Sequence, residues 1–237
     1  MCERVLELDP EYASGYVGRG DAYSDLEEYQ KAIADYDHAI QLDPSLAQAY
    51  SNRGNVYHSL KEYQKALADY DHAIQLDSTD PKAHYKRGNA YSDLREYQKA
   101  LADYDRAIQL DSNYAKAYYN RGNVYKALMK YQKAIADYDR AIQLDSTDAK
   151  AYNNRGIAYR NLKEYQKALA DYDRAIQLDP DNAMAYNNRG NAYRDLEEYQ
   201  KALADYDRAI QLNPNYTLAQ NNREEVYRLL QGRRQKS

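Results

Sequence analysis

A chain of 237 residues with a formal net charge of -4 is long enough for one large globule or two small ones, but 30% charged residues, 29 Tyr and neither Trp nor Phe point to a copied unit instead. A single cysteine, Cys2, excludes an intrachain disulfide and a Cys-rich metal site. The absence of any run of about 18 apolar residues and of a signal-like N-terminus excludes a membrane span within this sequence, and the acidic balance counts against a nucleic-acid binder.

In chain order, residues 1–12 match the last third of a repeat, with Val5, Leu6, Leu8 and Pro10 in register. Six full repeats follow at 13–46, 47–80, 81–114, 115–148, 149–182 and 183–216. Gly20, Gly54, Gly88, Gly122, Gly156 and Gly190 recur every 34 residues and fix that register. Residues 217–237 begin a seventh repeat and stop after its first helix, leaving a capping helix and a basic tail. Each repeat reads as two helices. In the sixth, the first spans about 184–196, with Tyr186, Arg189, Gly190, Tyr193 and Leu196 on one face. Met184, Asn187, Asn188, Asn191 and Asp195 share the other. The second spans about 198–212, packs through Ala202, Tyr206 and Ala209, and stops at Asn213-Pro214-Asn215. Repeats two to four carry Ser78, Ser112 and Ser146 at the Pro position, so polar turn residues must end those helices.

A glycine inside a helix costs about 1 kcal/mol relative to Ala. Repeating it six times implies a compensating close approach between helices. The expected partners are the small residues twelve positions on: Ala32, Ala66, Ala100, Ala134, Ala168 and Ala202.

The pattern Tyr186, Gly190, Tyr193, Ala202, Tyr206, Pro214 resembles the tetratricopeptide repeat family over essentially the whole chain. It departs in using Tyr (or His84) for the usual Trp or Phe, and Arg for the Leu before Gly. The resemblance implies an all-α solenoid: antiparallel helix hairpins stacked in a right-handed α-superhelix, with first helices lining a concave groove. A non-catalytic scaffold for protein–protein interaction is the function it implies.

Arg19, Arg53, Arg87, Arg121, Arg155, Arg189 and Arg223 precede the glycine register on the packing face. An anion-binding ladder is one reading. Pairing with Asp35, Asp69, Asp103, Asp137, Asp171 and Asp205 is the other, favoured because a buried charge needs a partner and guanidinium forks suit carboxylates. The retention of Arg223 without a following second helix points to the preceding repeat's Asp as partner, Asp171 with Arg189 for example. Glu224 replaces Gly where no helix follows. His38 and His72 occupy a register that Arg fills later, which marks them as surface residues. With His58 and His84 they give no metal-ligand spacing, so no metal, cofactor or catalytic residue is expected.

Asn52, Asn120, Asn154, Asn188 and Asn222 share one register opposite the core, and Asn55, Asn89, Asn123 and Asn191 another. Asn is a weak helix former, but its amide matches a peptide group. The first set is similar to the asparagine ladder of the protein N-acetylglucosaminyltransferases, which implies a hold on the backbone of an extended peptide. The alternative is a set of local networks. Lys82, Lys86, Lys116 and Lys150 project from the same face, with Lys126, Arg160 and Arg194 toward its edge, and Tyr85 and Tyr119 offer apolar surface. The full carboxylate-gripping set of co-chaperone repeats is absent: its first Lys register holds Val17, Ser51, Tyr85, Tyr119, Asn153 and Asn187.

The leading expectation is therefore a cytoplasmic scaffold that holds an acidic peptide, most strongly in repeats three to six. The competing readings are the repeat portion of a larger enzyme or assembly, and a single-stranded RNA binder. Weak self-association is expected through a poorly covered N-terminal edge at Val5, Leu6 and Leu8, while Glu224, Glu225, Arg228 and Arg233 make the other end polar.

Overall fold

Thirteen helices run through residues 13–234 of the computed structural model, which describes residue 6 and residues 9–234, except the side chains of residues 233 and 234. They are α1 (Ala13–Asp25), α2 (Tyr29–Leu42), α3 (Ala47–Ser59), α4 (Tyr63–Leu76), α5 (Pro81–Asp93), α6 (Tyr97–Leu110), α7 (Ala115–Ala127), α8 (Tyr131–Leu144), α9 (Ala149–Asn161), α10 (Tyr165–Leu178), α11 (Ala183–Asp195), α12 (Tyr199–Leu212) and α13 (Thr217–Arg234). The described residues contain no strand. Two compact units divide the chain, residues 1–117 and 118–237, with the division inside α7. The N-terminal unit stacks the hairpins α1/α2, α3/α4 and α5/α6. The C-terminal unit stacks α7 and α8, α9/α10, α11/α12 and then α13.

Local signals set the helix ends. Asp80, Asp148 and Asn182 cap α5, α9 and α11 by accepting backbone N–H bonds, from Lys82, from Lys150 and Ala151, and from Ala185. Where the second helices lack Pro, the preceding Asp closes the turn. Asp77 accepts from the Thr79 backbone (2.9 Å) and hydroxyl (2.7 Å), and Asp145 from Thr147 likewise. Within each hairpin the first helix ends on a left-handed residue, and none of the six is glycine: Glu27, Lys61, Arg95, Met129, Lys163 and Glu197 all have φ near 60°.

The compensation for the helix-interior glycines differs from the sequence expectation. Ala32, Ala66, Ala100, Ala134, Ala168 and Ala202 are fully buried, but what meets each glycine first is the tyrosine ring one helical turn further on. A Cβ on Gly20 would lie 2.7 Å from Tyr36 Cε1, and one on Gly156 2.7 Å from Tyr172 Cε1. Only at Gly190 does the alanine backbone, the Ala202 carbonyl at 3.2 Å, rank among the nearest atoms. The glycine is there to seat a ring of the same hairpin. Tyr36, Tyr70, Tyr104, Tyr138, Tyr172 and Tyr206 are the largest side chains that are almost fully enclosed.

The arginine ladder pairs with aspartates, but with a different carboxylate. Arg189 sends Nε and Nη2 in a fork to Asp205 of its own hairpin (2.8 and 2.6 Å), not to Asp171. Its remaining Nη1 reaches Asp173 of the preceding hairpin at 2.7 Å. Arg155 repeats the pattern with Asp171 and Asp139, Arg87 with Asp103 and Asp71, and Arg53 with Asp69 and Asp37. The fork goes to the buried carboxylate because both of its oxygens need donors there. Arg223 explains why the chain end misled the sequence reading. With no second helix for it among the described residues, it keeps there only the cross-hairpin bond, to Asp207 at 2.9 Å, and its buried Nε has no partner among the described residues.

At the ends, Leu6 is buried, with Cδ2 close against Gly15, contrary to the expectation that it is poorly covered. Val5 and Leu8 lie outside the described residues, as does the Arg233 side chain. Glu224, Glu225 and Arg228 are exposed.

Candidate functional site

All fourteen side chains singled out as peptide-binding belong to first helices. The structure gives the asparagines more internal work than the sequence suggested. In the register of Asn89, Asn123 and Asn191, each Oδ1 accepts from the buried tyrosine hydroxyl of its own hairpin: Tyr104 at 2.9 Å, Tyr138 at 2.8 Å and Tyr206 at 2.9 Å. Asn55 is best satisfied the other way round. Its nitrogen donates to Tyr70 Oη (3.0 Å) and the Ser51 carbonyl (3.3 Å), and its oxygen accepts from Lys86 Nζ at 3.0 Å.

The other register bridges successive hairpins. Asn52 donates to Asp21 (2.8 Å), Asn154 to Tyr119 Oη (2.9 Å) and Asn123 Oδ1 (3.0 Å), and Asn188 to Asn153 Oδ1 (3.0 Å). The last member of the register, Asn222, donates to Asn187 at 2.9 Å. Asn187, expected on the outer face, is buried between first helices, as is its counterpart Asn153. These asparagines are half-buried bridges, not open donors, because the packing of neighbouring first helices leaves polar atoms facing one another across the seam. Asn120 is likewise half-buried. An amide offers two protons and two lone pairs, so a bridging Asn keeps capacity for a ligand. Tyr85 lies against Tyr114 (4.9 Å between centroids) and Tyr104 (6.1 Å), and Tyr119 against Tyr138 (6.0 Å). Their rings are half-buried and only part of each is open to a ligand.

The lysines differ sharply from one another. Lys82, Lys116 and Lys150 are exposed. Lys86 is half-buried. Its Nζ sits 3.0 Å from Ser51 Oγ and 3.0 Å from Asn55 Oδ1, and no described residue supplies it with a carboxylate partner. Burial lowers its pKa below the ordinary lysine value, against the pull of Asp80 and Asp21. It opens on a cleft of about 650 Å³ in the N-terminal unit, lined by Ser51 and Asn52 of α3, Asp77 after α4, and Pro81, Lys82 and Lys86 of α5. Ser51 was not among the sequence-predicted site residues. Its signal was a small hydroxyl in a register that is large or amide-bearing in the later repeats.

The edge cations are largely neutralised by the next hairpin. Arg160 bonds to Asp195 at 2.7 Å and Arg194 to Glu225 at 2.9 Å. Lys126 bonds instead to the neutral Asn154 Oδ1 at 3.0 Å. Of the histidines, His38 and His72 are exposed against Tyr16 and Tyr50. His84 is buried beside Asp103 and the Ser78 carbonyl. No helix among the described residues is long and apolar enough to cross a membrane.

Models of the tetratricopeptide repeat match residues 81–114, 115–148, 149–182 and 183–216, and a second model of the repeat matches 20–61 and 54–95. The chain belongs to the tetratricopeptide repeat family. No curated protein sequence matches it. Among solved structures it is similar to YrrB, described as a tetratricopeptide repeat protein with an unusual peptide-binding site, at 30% identity over 80% of this chain and 97% of that one, TM-score 0.67. It is also similar to MamA, at 27% identity over 73% of this chain and 95% of that one, TM-score 0.65. The likeness to PilF of Pseudomonas aeruginosa, at 20% identity over 90% of this chain and 97% of that one, TM-score 0.79, is one of fold alone. A tetratricopeptide repeat chain of stacked hairpins is a protein-interaction scaffold.

Proposed function

We propose that this tetratricopeptide repeat protein is a non-catalytic scaffold whose first-helix face holds an extended, acidic peptide segment, anchored in the N-terminal unit at the cleft around Lys86. The observation that carries this reading is Lys86 itself. A partly desolvated ammonium held only by neutral oxygens is an expensive arrangement for the free protein. A carboxylate entering the cleft supplies the missing counter-charge and takes the remaining N–H. Lys82, in the same lining, adds to the attraction, while Asp77 and Asp80 oppose it and so narrow where a carboxylate can rest. Asn52 keeps spare amide capacity beside Lys86 for the ligand backbone. The likeness to YrrB, whose described property is a peptide-binding site, supports the class of ligand.

Exposed ion pairs contribute only about 0–1 kcal/mol each, so the affinity is expected in the micromolar range and to weaken with salt. The test is a titration of acidic, neutral and basic peptide sets at two salt concentrations. Wild type, Lys86→Met and an Asn120/Asn154/Asn188 triple Ala variant are compared. Acidic peptides should bind best, and lose about tenfold or more in Lys86→Met. The melting temperature of that variant should not fall, because a desolvated charge has been removed. Equal binding of the three sets, or unchanged binding in both variants, would reject the assignment.

A further inference from the structure

One register of the first-helix face is broken. Asp21, Asn55, Asn89, Asn123 and Asn191 each bond the hydroxyl of the buried tyrosine in their own hairpin, Tyr36 to Asp21 at 2.7 Å among them. The fifth repeat has Ile157 there. Its tyrosine, Tyr172, is fully buried, and the hydroxyl has no partner among the described residues. The break also spreads along the face. Asn52 and Asn154 donate to the same register of the preceding repeat, to Asp21 and Asn123. Asn188 finds no acceptor on Ile157 and turns to Asn153. A half-buried aliphatic side chain thus interrupts an otherwise polar row. It does so at the expense of a buried hydroxyl that the other five hairpins satisfy.

A second irregularity adjoins it. Asn154, one turn before Ile157 on α9, accepts from Lys126 of α7. Arg160 and Arg194 stand in the register of Lys126 and have carboxylate partners, whereas Lys126 has none among the described residues. Burial alone lowers its pKa. One apolar gap and one uncompensated cation therefore sit on adjacent first helices of the C-terminal unit. We propose that this pair sets the ligand specificity of that unit: an aliphatic side chain of the peptide rests on Ile157 while a carboxylate of the same peptide meets Lys126. Neighbouring helices pack about 8–10 Å apart and an extended chain advances about 3.3 Å per residue, which puts the two ligand groups about three residues apart. The inference rests on the reading of the first-helix face as a peptide site, and adds the sequence pattern it selects.

The test uses the full chain and labelled Gly/Ser peptides that carry one Leu and one Glu three positions apart, in both orders. Leu→Ser and Glu→Gln versions and an all-acidic peptide accompany them. Wild type should bind the Leu/Glu peptide in one order at least about fivefold tighter than either altered version. Ile157→Asn should lose the preference for Leu and keep that for Glu, with a melting temperature raised by a few degrees as Tyr172 gains a partner. Lys126→Met should do the reverse. Tyr172→Phe removes only the orphan hydroxyl, so it should keep both preferences and melt no lower. An intact Leu preference in Ile157→Asn, or an intact Glu preference in Lys126→Met, overturns the inference. If the all-acidic peptide binds and the Leu/Glu peptide binds no better than its altered versions, the specificity pair is wrong and the broader reading stands. If no peptide binds, both fall.

Discussion

Arg53, Arg87, Arg155 and Arg189 each do two jobs with one side chain. The fork to a buried aspartate closes its own hairpin, and the third nitrogen reaches the hairpin before. Arg155 and Arg223 separate the two contributions, since Arg155 has both bonds and Arg223 only the second. The Arg155 side chain is 18% exposed and its forked partner Asp171 7%. For Arg223 and Asp207 the figures are 35% and 46%. Burial raises the Asp171 pKa in spite of its guanidinium partner, so the pair is held together against a real desolvation term. Arg155→Ala strands that carboxylate and should lose about 3–5 kcal/mol in urea denaturation. Arg223→Ala should lose under about 1 kcal/mol. That each arginine would find an aspartate was legible from charge and register alone. Which aspartate was not, because Asp171, eighteen residues before Arg189, and Asp205, sixteen after it, are both buried carboxylates, and only three-dimensional packing tells which one faces the guanidinium.

At the scale of helices and turns, the six hairpin turns share a left-handed residue that the sequence does not advertise. A glycine would have marked the position, and here Glu, Lys, Arg and Met occupy it. The left-handed conformation costs an L-residue about 1–2 kcal/mol, offset by the turn bonds, as where Met129 N–H donates to the Lys126 carbonyl and Lys130 N–H to that of Tyr125. Met129 is 74% exposed with φ of 58°, so its side chain holds little in place. Met129→Gly should stabilise the protein by about 0.5–1 kcal/mol in chemical denaturation despite the greater freedom of Gly in the unfolded chain. A loss of stability would mean that the Met129 side chain makes contacts its exposure does not suggest. Helix positions were readable to within a residue or so from the tyrosine and alanine spacing. The seam between first helices was harder. Asn187 reads as outward-facing on a single helix, and is buried because the neighbouring first helix packs over it.

For the chain as a whole, the 34-residue period carried most of the information: fold class, family and the role of scaffold follow from it. The candidate site was less legible for the same reason. Repetition makes neighbouring registers look alike, while function resides in the departures from it. Ser51 against Lys86 and Ile157 over Tyr172 are such departures, visible as odd residues in otherwise regular columns. Their meaning needed the contacts that the regular residues make. The proposed docking of an acidic peptide on the first-helix face, through Lys86 in the N-terminal unit, is decided by backbone amide NMR shifts recorded during titration with an acidic peptide. Perturbations should concentrate at Ser51, Asn52, Asn55 and Lys86 of α3 and α5, and should be lost in Lys86→Met. Perturbations confined to the second helices α4 and α6, or unchanged by that substitution, would contradict it.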